Sequence, residues 1–374
     1  MEHSLDLTYH WAGFSALVVF VIAYAFVMAE EFTHLRKSKP VVLAAGLIWG
    51  MIAIAYSNTP HYEMVEHEIR HSFLEYTELA FFLLVAMTYI NALEERNVFN
   101  SLKSWLIKNQ FSYRQLFWIT GVLAFFLSPL ADNLTTALVL CAVVVAVGSS
   151  SPKFVGLACV NIVVAANAGG AFSPFGDITT LMVWQAGQLD FLQFFALVIP
   201  SVVNYIIPAS IMHFFVSDHK PDVAETSVTI KYGGKTIILL GLLTIVTAVS
   251  FHNFLHLPPV FGMMTGLAYL QLYSFYIKIS VKDIEEQKYD FFENVARVEW
   301  DTLLFFFGVI LSVGGLGFIG YLEYVSEFMY TDLGATTANV LVGILSAIVD
   351  NIPVMFAVLT CLLYTSPSPR DVRS

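Results

Sequence analysis

Charge is what this chain has least of. Asp, Glu, Lys and Arg make up 13% of its 374 residues, about half the share of a soluble domain, while 57% are hydrophobic. That balance excludes a water-soluble fold with one large core and places the chain among polytopic membrane proteins. Basic residues are the scarcer sign, 18 against 29 acidic, and the formal charge of −11 argues against nucleic acid as a partner. Cysteine occurs three times, as Cys141, Cys159 and Cys361, always inside an apolar run and without a pairing pattern. These read as small hydrophobes, so no disulfide framework or redox compartment is indicated. The first ten residues hold Glu2 and Asp6 but no Lys or Arg, which leaves no cleavable signal in view.

What the chain does have is long apolar runs. They read at roughly 11–29, 41–57, 76–93, 116–131, 134–149, 154–186, 191–216, 236–256, 260–278, 301–320, 336–349 and 352–364. A full helical crossing takes about 20 residues. The pairs of runs around Asp132 and around Asp350 are shorter, and arms of that length meeting at a polar tip predict re-entrant hairpins over 116–149 and 336–363. The run 154–186 is longer than one crossing and is interrupted by Asn167, Gly169-Gly170, Ser173-Pro174 and Gly176-Asp177. Glycines and a proline inside one apolar run predict a broken helix whose freed backbone groups need protein, water or ions as partners.

The two hairpin tips repeat each other. Ser128, Asp132 and Asn133 recur as Ser346, Asp350 and Asn351 at the same offsets, and Glu75 stands before the first hairpin much as Glu299 stands before the second. Basic loops set the topology. Arg36, Lys37 and Lys39, then Arg96, Lys103, Lys108 and Arg114, then Lys220, Lys231 and Lys235 fall on the cytoplasmic side. The acidic loops 58–72 and 321–335 fall outside, as does the N-terminus. The first hairpin then enters from the cytoplasm and the second from outside. The expected fold is an all-α polytopic membrane protein of inverted repeats, each with a re-entrant helical hairpin and a broken transmembrane helix. The segments are 1–60 (N-terminal helices), 61–216 (first repeat), 217–295 (connecting helices and cytoplasmic loops) and 296–363 (second repeat). A partner of Asp177 would fall beyond residue 374, so the second repeat reads as truncated. The polar stretch 364–374 reads either as a foreign tail or as a natural one.

A carboxylate at membrane depth is costly and is a functional-site hypothesis by default. Asp132, with Ser128, Asn133, Thr135 and Thr136 beside it, and Asp350, with Ser346 and Asn351, offer the oxygen ligands that Na⁺ or Li⁺ prefers. Leaving water favours the protonated form of a carboxylate, and a bound cation favours the ionised one, so one site can hold either. The alternative is that these polar pairs only join helices by hydrogen bonds. Asp177, with Asn167, Ser173, Thr179 and Thr180, reads as a further wall of the same site or as the cap of a half-helix. Na⁺ or Li⁺ is thus expected at Asp132, Asp177 and Asp350.

His67-Glu68-Ile69-Arg70-His71 fits the zinc-protease spacing, but it lies in an acidic loop with no evident third ligand. His71 and Glu75, one helical turn apart, suit a pH-sensitive pair or a structural one. Segment 98–111 mixes Lys103 and Lys108 with Phe99, Leu102, Trp105, Leu106 and Phe111, a pattern for an amphipathic helix on the cytoplasmic interface.

Three motifs together, Glu75 to Glu78 running on to Arg96, Ser128 to Thr136, and Ala168 to Thr180, resemble the NhaD-type sodium/proton antiporters, which share a wider group with arsenite pumps and dicarboxylate carriers. The likeness covers about residues 60–362. It implies electrogenic exchange of cytoplasmic Na⁺ or Li⁺ for outside protons at alkaline pH, in a bacterial inner membrane. No enzyme activity and no cofactor are implied, and the architecture often dimerises, so a homodimer is an expectation by analogy. A sodium-coupled dicarboxylate carrier of the same fold remains an alternative, although such tips carry a neutral residue where Asp132 and Asp350 stand. An intramembrane aspartyl protease using Asp132 and Asp177 is a remote one, since Ala131 and Pro174 depart from its motifs.

Overall fold

The computed structural model describes residues 6–57, 59–148, 151–220, 228–280, 289–328, 333–347 and 351–365. Among these there is no β-strand. In chain order the helices are α1 (Trp11–Met28), α2 (Glu30–Thr33), α3 (Ser38–Tyr56), α4 (Tyr62–Glu95), α5 (Val98–Lys108), α6 (Tyr113–Ala131), α7 (Asn133–Val147), α8 (Pro152–Gly170) and α9 (Ile178–Gln185). A 3₁₀ stretch, Phe191–Leu197, leads into α10 (Val198–His213), followed by α11 (Gly234–Leu255), α12 (Pro259–Ser280), α13 (Phe291–Ala296), α14 (Trp300–Ile319), α15 (Tyr321–Ser326), α16 (Ala335–Ser346) and α17 (Asn351–Thr365). Among the described residues, nine helical segments are long and apolar enough to cross a bilayer. The chain is a multi-pass, all-helical membrane protein.

One expected loop is helical. The acidic stretch 58–72 enters α4 at Tyr62, so the His67–His71 motif is on a helix and not in a loop. The last proline before it is Pro60, just ahead of the first turn, and nothing after that breaks the helix. Pairs one turn apart support the exposed part: Arg70 donates to Glu66 at 2.6 Å, and His71 Nε2 lies 3.6 Å from Glu75 Oε1. At 34 residues α4 is about 50 Å long, more than a membrane core requires.

The chain divides into two compact units, one comprising residues up to Ala80 and from Glu299 onward, the other Phe81–Val298. In the first, α14 is the central element, packed on α3 and α1. Gly308 and Gly315 make that approach possible, because a Cβ at Gly308 would strike the Val41 backbone and one at Gly315 the Ile48 side chain at 2.7 Å. Polar ties pin the register: Ser38 Oγ donates to Asp301, and Trp49 Nε1 donates to the Leu311 carbonyl at 2.8 Å. At the far end of α14 the Tyr321 hydroxyl donates to the Thr8 carbonyl at 2.9 Å.

The second unit is built on α6, α7, α8 and α10. Its core joins Phe117, Phe125 and Leu140 to the small residues Ala158, Ala165 and Ala166 of α8, which let the backbones come close. Where α4 ends, Arg96 is fully buried, paired with Glu95 at 2.8 Å and placed over the Tyr289 ring at 4.8 Å. Asn294 of α13 donates to Glu95 at 2.6 Å, and Arg297 lies 3.2 Å from Glu94. Arg96 and Glu95 together tie α13 and the preceding Tyr289 to the end of α4.

Candidate functional site

Three contacts across the α6–α8 seam share one sequence offset. Asn161 Nδ2 donates to the Phe117 carbonyl at 2.8 Å, Gly169 closes onto the Phe125 backbone, and Ser173 Oγ donates to the Pro129 carbonyl at 3.0 Å. The partner is 44 positions ahead each time, so α6 and α8 run parallel in fixed register. The approach at Gly169 has a covalent reason. Pro129 has no N–H to give the Phe125 carbonyl one turn back, and a Cβ at Gly169 would collide with that carbonyl. A fourth tie, Ser128 Oγ to the Ala166 carbonyl at 2.7 Å, is fully buried.

The same register carries the hairpin tip to the helix break. α6 ends at Ala131 and α7 begins at Asn133, with Asp132 between them at φ 55° and ψ 159°. α8 ends at Gly170, turns occupy 171–176, and α9 restarts after Asp177. Asn133 Nδ2 donates to Asp177 Oδ2 at 2.6 Å and to Asn167 Oδ1 at 3.0 Å, which joins tip and break directly. Asp132 accepts from Thr135 N and Thr135 Oγ1, both at 2.8 Å. Asp177 accepts from Thr179 N at 2.8 Å and Thr179 Oγ1 at 2.7 Å, and Thr180 Oγ1 donates to the Ser173 and Asp177 carbonyls.

Each acid therefore caps the positive end of the helix that follows it. That offsets the two helix N-termini, which would otherwise repel a cation. The carbonyl ends of α6 and α8, negative by the same dipole argument, arrive at the same depth. The result is a cluster of oxygen atoms with two carboxylates, on unwound backbone, of the kind that suits a small hard cation.

Not every residue of the sequence-based set belongs to that cluster. Asn133 is bonded to both Asn167 and Asp177, Asp132 and Thr135 are bonded to each other beside Asn133 at the tip, and Thr179 and Thr180 support the break. Ser128 and Ser173 are turned onto backbone carbonyls as seam ties, and Thr136 is buried with its hydroxyl unbonded to protein. Of the seam residues, Asn161 carries no sequence signal, while Gly169 and Pro129 stand in the helix-break and hairpin motifs without any sign there that they meet across the seam. Ser346 closes α16 with its hydroxyl on the Gly343 carbonyl at 3.0 Å, and Asn351 opens α17. Asp350 lies outside the described residues. His71 and Glu75 are both about half exposed, and no His, Cys, Asp and Glu cluster that could hold a resident metal occurs among the described residues.

A multi-pass helical protein in which a hairpin tip and a broken helix bring carboxylates to one depth is a secondary transporter by architecture. Residues 11–370 match the family profile described as CitMHS, citrate transporter. Among similar proteins, the Na(+)/H(+) antiporter NhaD of Vibrio cholerae is 53% identical over 96% of this chain and 79% of its own length. The Na(+)/H(+) antiporter NhaD of Alkalimonas amylolytica is 52% identical over 95% and 78%, and sodium/proton antiporter 1 of Arabidopsis thaliana 31% over 95% and 61%. The chain belongs to the citrate-transporter family and, within it, to the NhaD-type antiporters.

Proposed function

We propose that this protein exchanges Na⁺ (or Li⁺) for protons, cytoplasmic cation against external proton, across a bacterial inner membrane. The observation that carries the reading is the bridge from Asn133 to Asp177 and Asn167, which puts the hairpin tip, with Asp132, against the helix break. In the exchange, a cation takes oxygens of Asp132, Asp177, Asn133 and Asn167, and the Asn133 amide turns its carbonyl to it. Proton uptake by the carboxylates removes the charge that holds the cation and releases it. Asp350, Ser346 and Asn351 belong to the same function as the counterpart tip. In this reading Lys220, Lys231 and Lys235 lie in the cytoplasm and the N-terminus outside, an orientation supported by the positive-inside rule. The protein is a carrier, with transported ions and no cofactor, and a homodimer accords with the architecture.

The family description names citrate, but two ionised acids would repel a tricarboxylate unless cations bound first. The test is proton flux in everted vesicles that have built a gradient by respiration. Addition of Na⁺ or Li⁺, but not K⁺, collapses the gradient for the wild type and does so for neither Asp132→Asn nor Asp177→Asn. Normal exchange in both variants would overturn the site. A gradient that responds only when citrate accompanies Na⁺ would turn the reading to anion transport.

A further inference from the structure

In the first compact unit, α3 and the start of α4 both lean on α14. The Phe73 and Tyr76 rings of α4 meet Phe307 edge-on with centroids 5.6 and 5.2 Å apart, and the Ser72 hydroxyl lies beside Gly314. Between the end of α3 and the start of α4 a groove of about 710 Å³ stays open, a size that holds one small molecule. Its walls are apolar, from Ala53, Val65, Ile69, Phe73 and Leu74, and Glu66 and Arg70 stand among them. Ala53 is one turn from the end of α3 at Tyr56, and Glu66 is one turn from the start of α4 at Tyr62. The groove therefore opens at a membrane surface, where Tyr62 also lines it as an interfacial aromatic.

The polar pair is only half used. Arg70 Nε and Nη2 both donate to one oxygen, Glu66 Oε1, at 2.9 and 2.6 Å. Among the described residues Arg70 Nη1 and Glu66 Oε2 have no partner, and the two side chains are 76% and 62% exposed. One cationic donor and one anionic acceptor are thus offered side by side. Below them the groove runs on to a track without side chains. Gly46 and Gly50 lie on the same face of α3 as Ala53, and a Cβ at either would meet nothing within 4 Å among the described residues.

We propose that this groove binds one phospholipid with a phosphoethanolamine headgroup. Its phosphate takes Arg70 Nη1, its ammonium donates to Glu66 Oε2, and an acyl chain lies along Ala53, Gly50 and Gly46. The headgroup is selected by charge. The first turns of α4 carry Glu63, Glu66 and Glu68, with Arg70 their only Lys or Arg, so a lipid of net negative charge is repelled. A choline headgroup has the right charges but no N–H for Glu66. Phosphoethanolamine supplies both a phosphate and an N–H cation, at the spacing of one charged pair.

The experiment is native mass spectrometry of the purified protein after exposure to equal amounts of phosphatidylethanolamine, phosphatidylcholine and phosphatidylglycerol with matched acyl chains. One phosphatidylethanolamine per chain should be retained about 2–10 times better than either competitor, the worth of one hydrogen bond. Glu66→Leu removes the acceptor and should level phosphatidylethanolamine with phosphatidylcholine. Arg70→Leu should lower the retention of all three. Gly50→Leu, which blocks the track and leaves the polar pair intact, should lower it as well. Melting curves with added phosphatidylethanolamine give a second readout, since the lipid should raise the wild type's melting temperature more than that of Arg70→Leu. Equal retention of the three lipids by the wild type would overturn the proposal, as would a preference that survives both Glu66→Leu and Arg70→Leu. A cysteine at Leu74 that cross-links to its own copy equally in vesicles of all three lipids would also overturn it, because a second chain would then cover the groove.

Discussion

At the scale of the residue, Asp132 pays a conformational cost. Its φ of 55° with ψ of 159° is territory that glycine occupies readily and a β-carbon makes strained, at about 1–3 kcal/mol. The bonds from Thr135 offset part of this by capping α7. Asp132→Gly should therefore change stability little, because relief of strain opposes a cap loss of a few tenths of a kcal/mol on replacement by Gly. Exchange should nonetheless be abolished. Thermal unfolding in detergent beside vesicle flux separates the two, and a large fall in melting temperature would show that the acid serves the fold first. Thr135→Val tests the hydroxyl alone. It keeps the backbone donor but removes the 2.8 Å bond from Oγ1, and a severalfold rise in the Na⁺ concentration for half-maximal exchange is expected.

At the scale of the element, glycine use on α8 is position-specific. A Cβ at Gly169 meets the Phe125 carbonyl, which is backbone and cannot turn aside, whereas one at Gly156 meets nothing within 4 Å. Gly169→Ala should cost about 1–3 kcal/mol by forcing α8 off α6. Gly156→Ala should be neutral or gain up to about 1 kcal/mol from helix propensity. Paired melting curves check both, and equal effects would mean the seam is looser than drawn.

The break between α8 and α9 was legible in the residues, because glycine, proline and a capping aspartate announce themselves locally. The membrane class was equally plain from composition. Other features were not. That Asn133 reaches Asp177 while Asp132 turns to its own helix depends on tertiary register, and Trp118 meets His213 across 95 positions with no local signature. The start of α4 is not legible in composition, where a stretch of Glu and His resembles a loop, although its i, i+4 pairs suit an exposed helix.

At the scale of the whole molecule, α4 outruns the membrane, and its charged first turns carry Glu63, Glu66, Glu68 and Arg70. A cysteine placed at Glu66 should react with a membrane-impermeant maleimide on intact cells whose outer membrane is permeabilised. One placed at Lys231, where the backbone N–H bonds the Arg96 carbonyl at 2.9 Å, should react only in everted vesicles. The opposite pattern would invert the topology. Arg96→Met should cost roughly 2–3 kcal/mol, less than a fully buried pair because Glu95 keeps some solvent. Melting in detergent would show it, and limited proteolysis near 289–297 should quicken as α13 loosens from α4.

The seam at constant spacing also says where this protein tolerates a change of length. The return from α7 to α8 passes through 148–151, and extra residues there alter the count of 44 without moving any atom of the seam. One residue inserted between Asn161 and Asn167 would turn everything after it by about 100° about the axis of α8. Asp177 would leave the hairpin tip while Asn161 stayed in place. Natural length variation in relatives should therefore collect at 148–151 and be missing from 117–133 and 161–177, a pattern of gaps that no substitution record could supply.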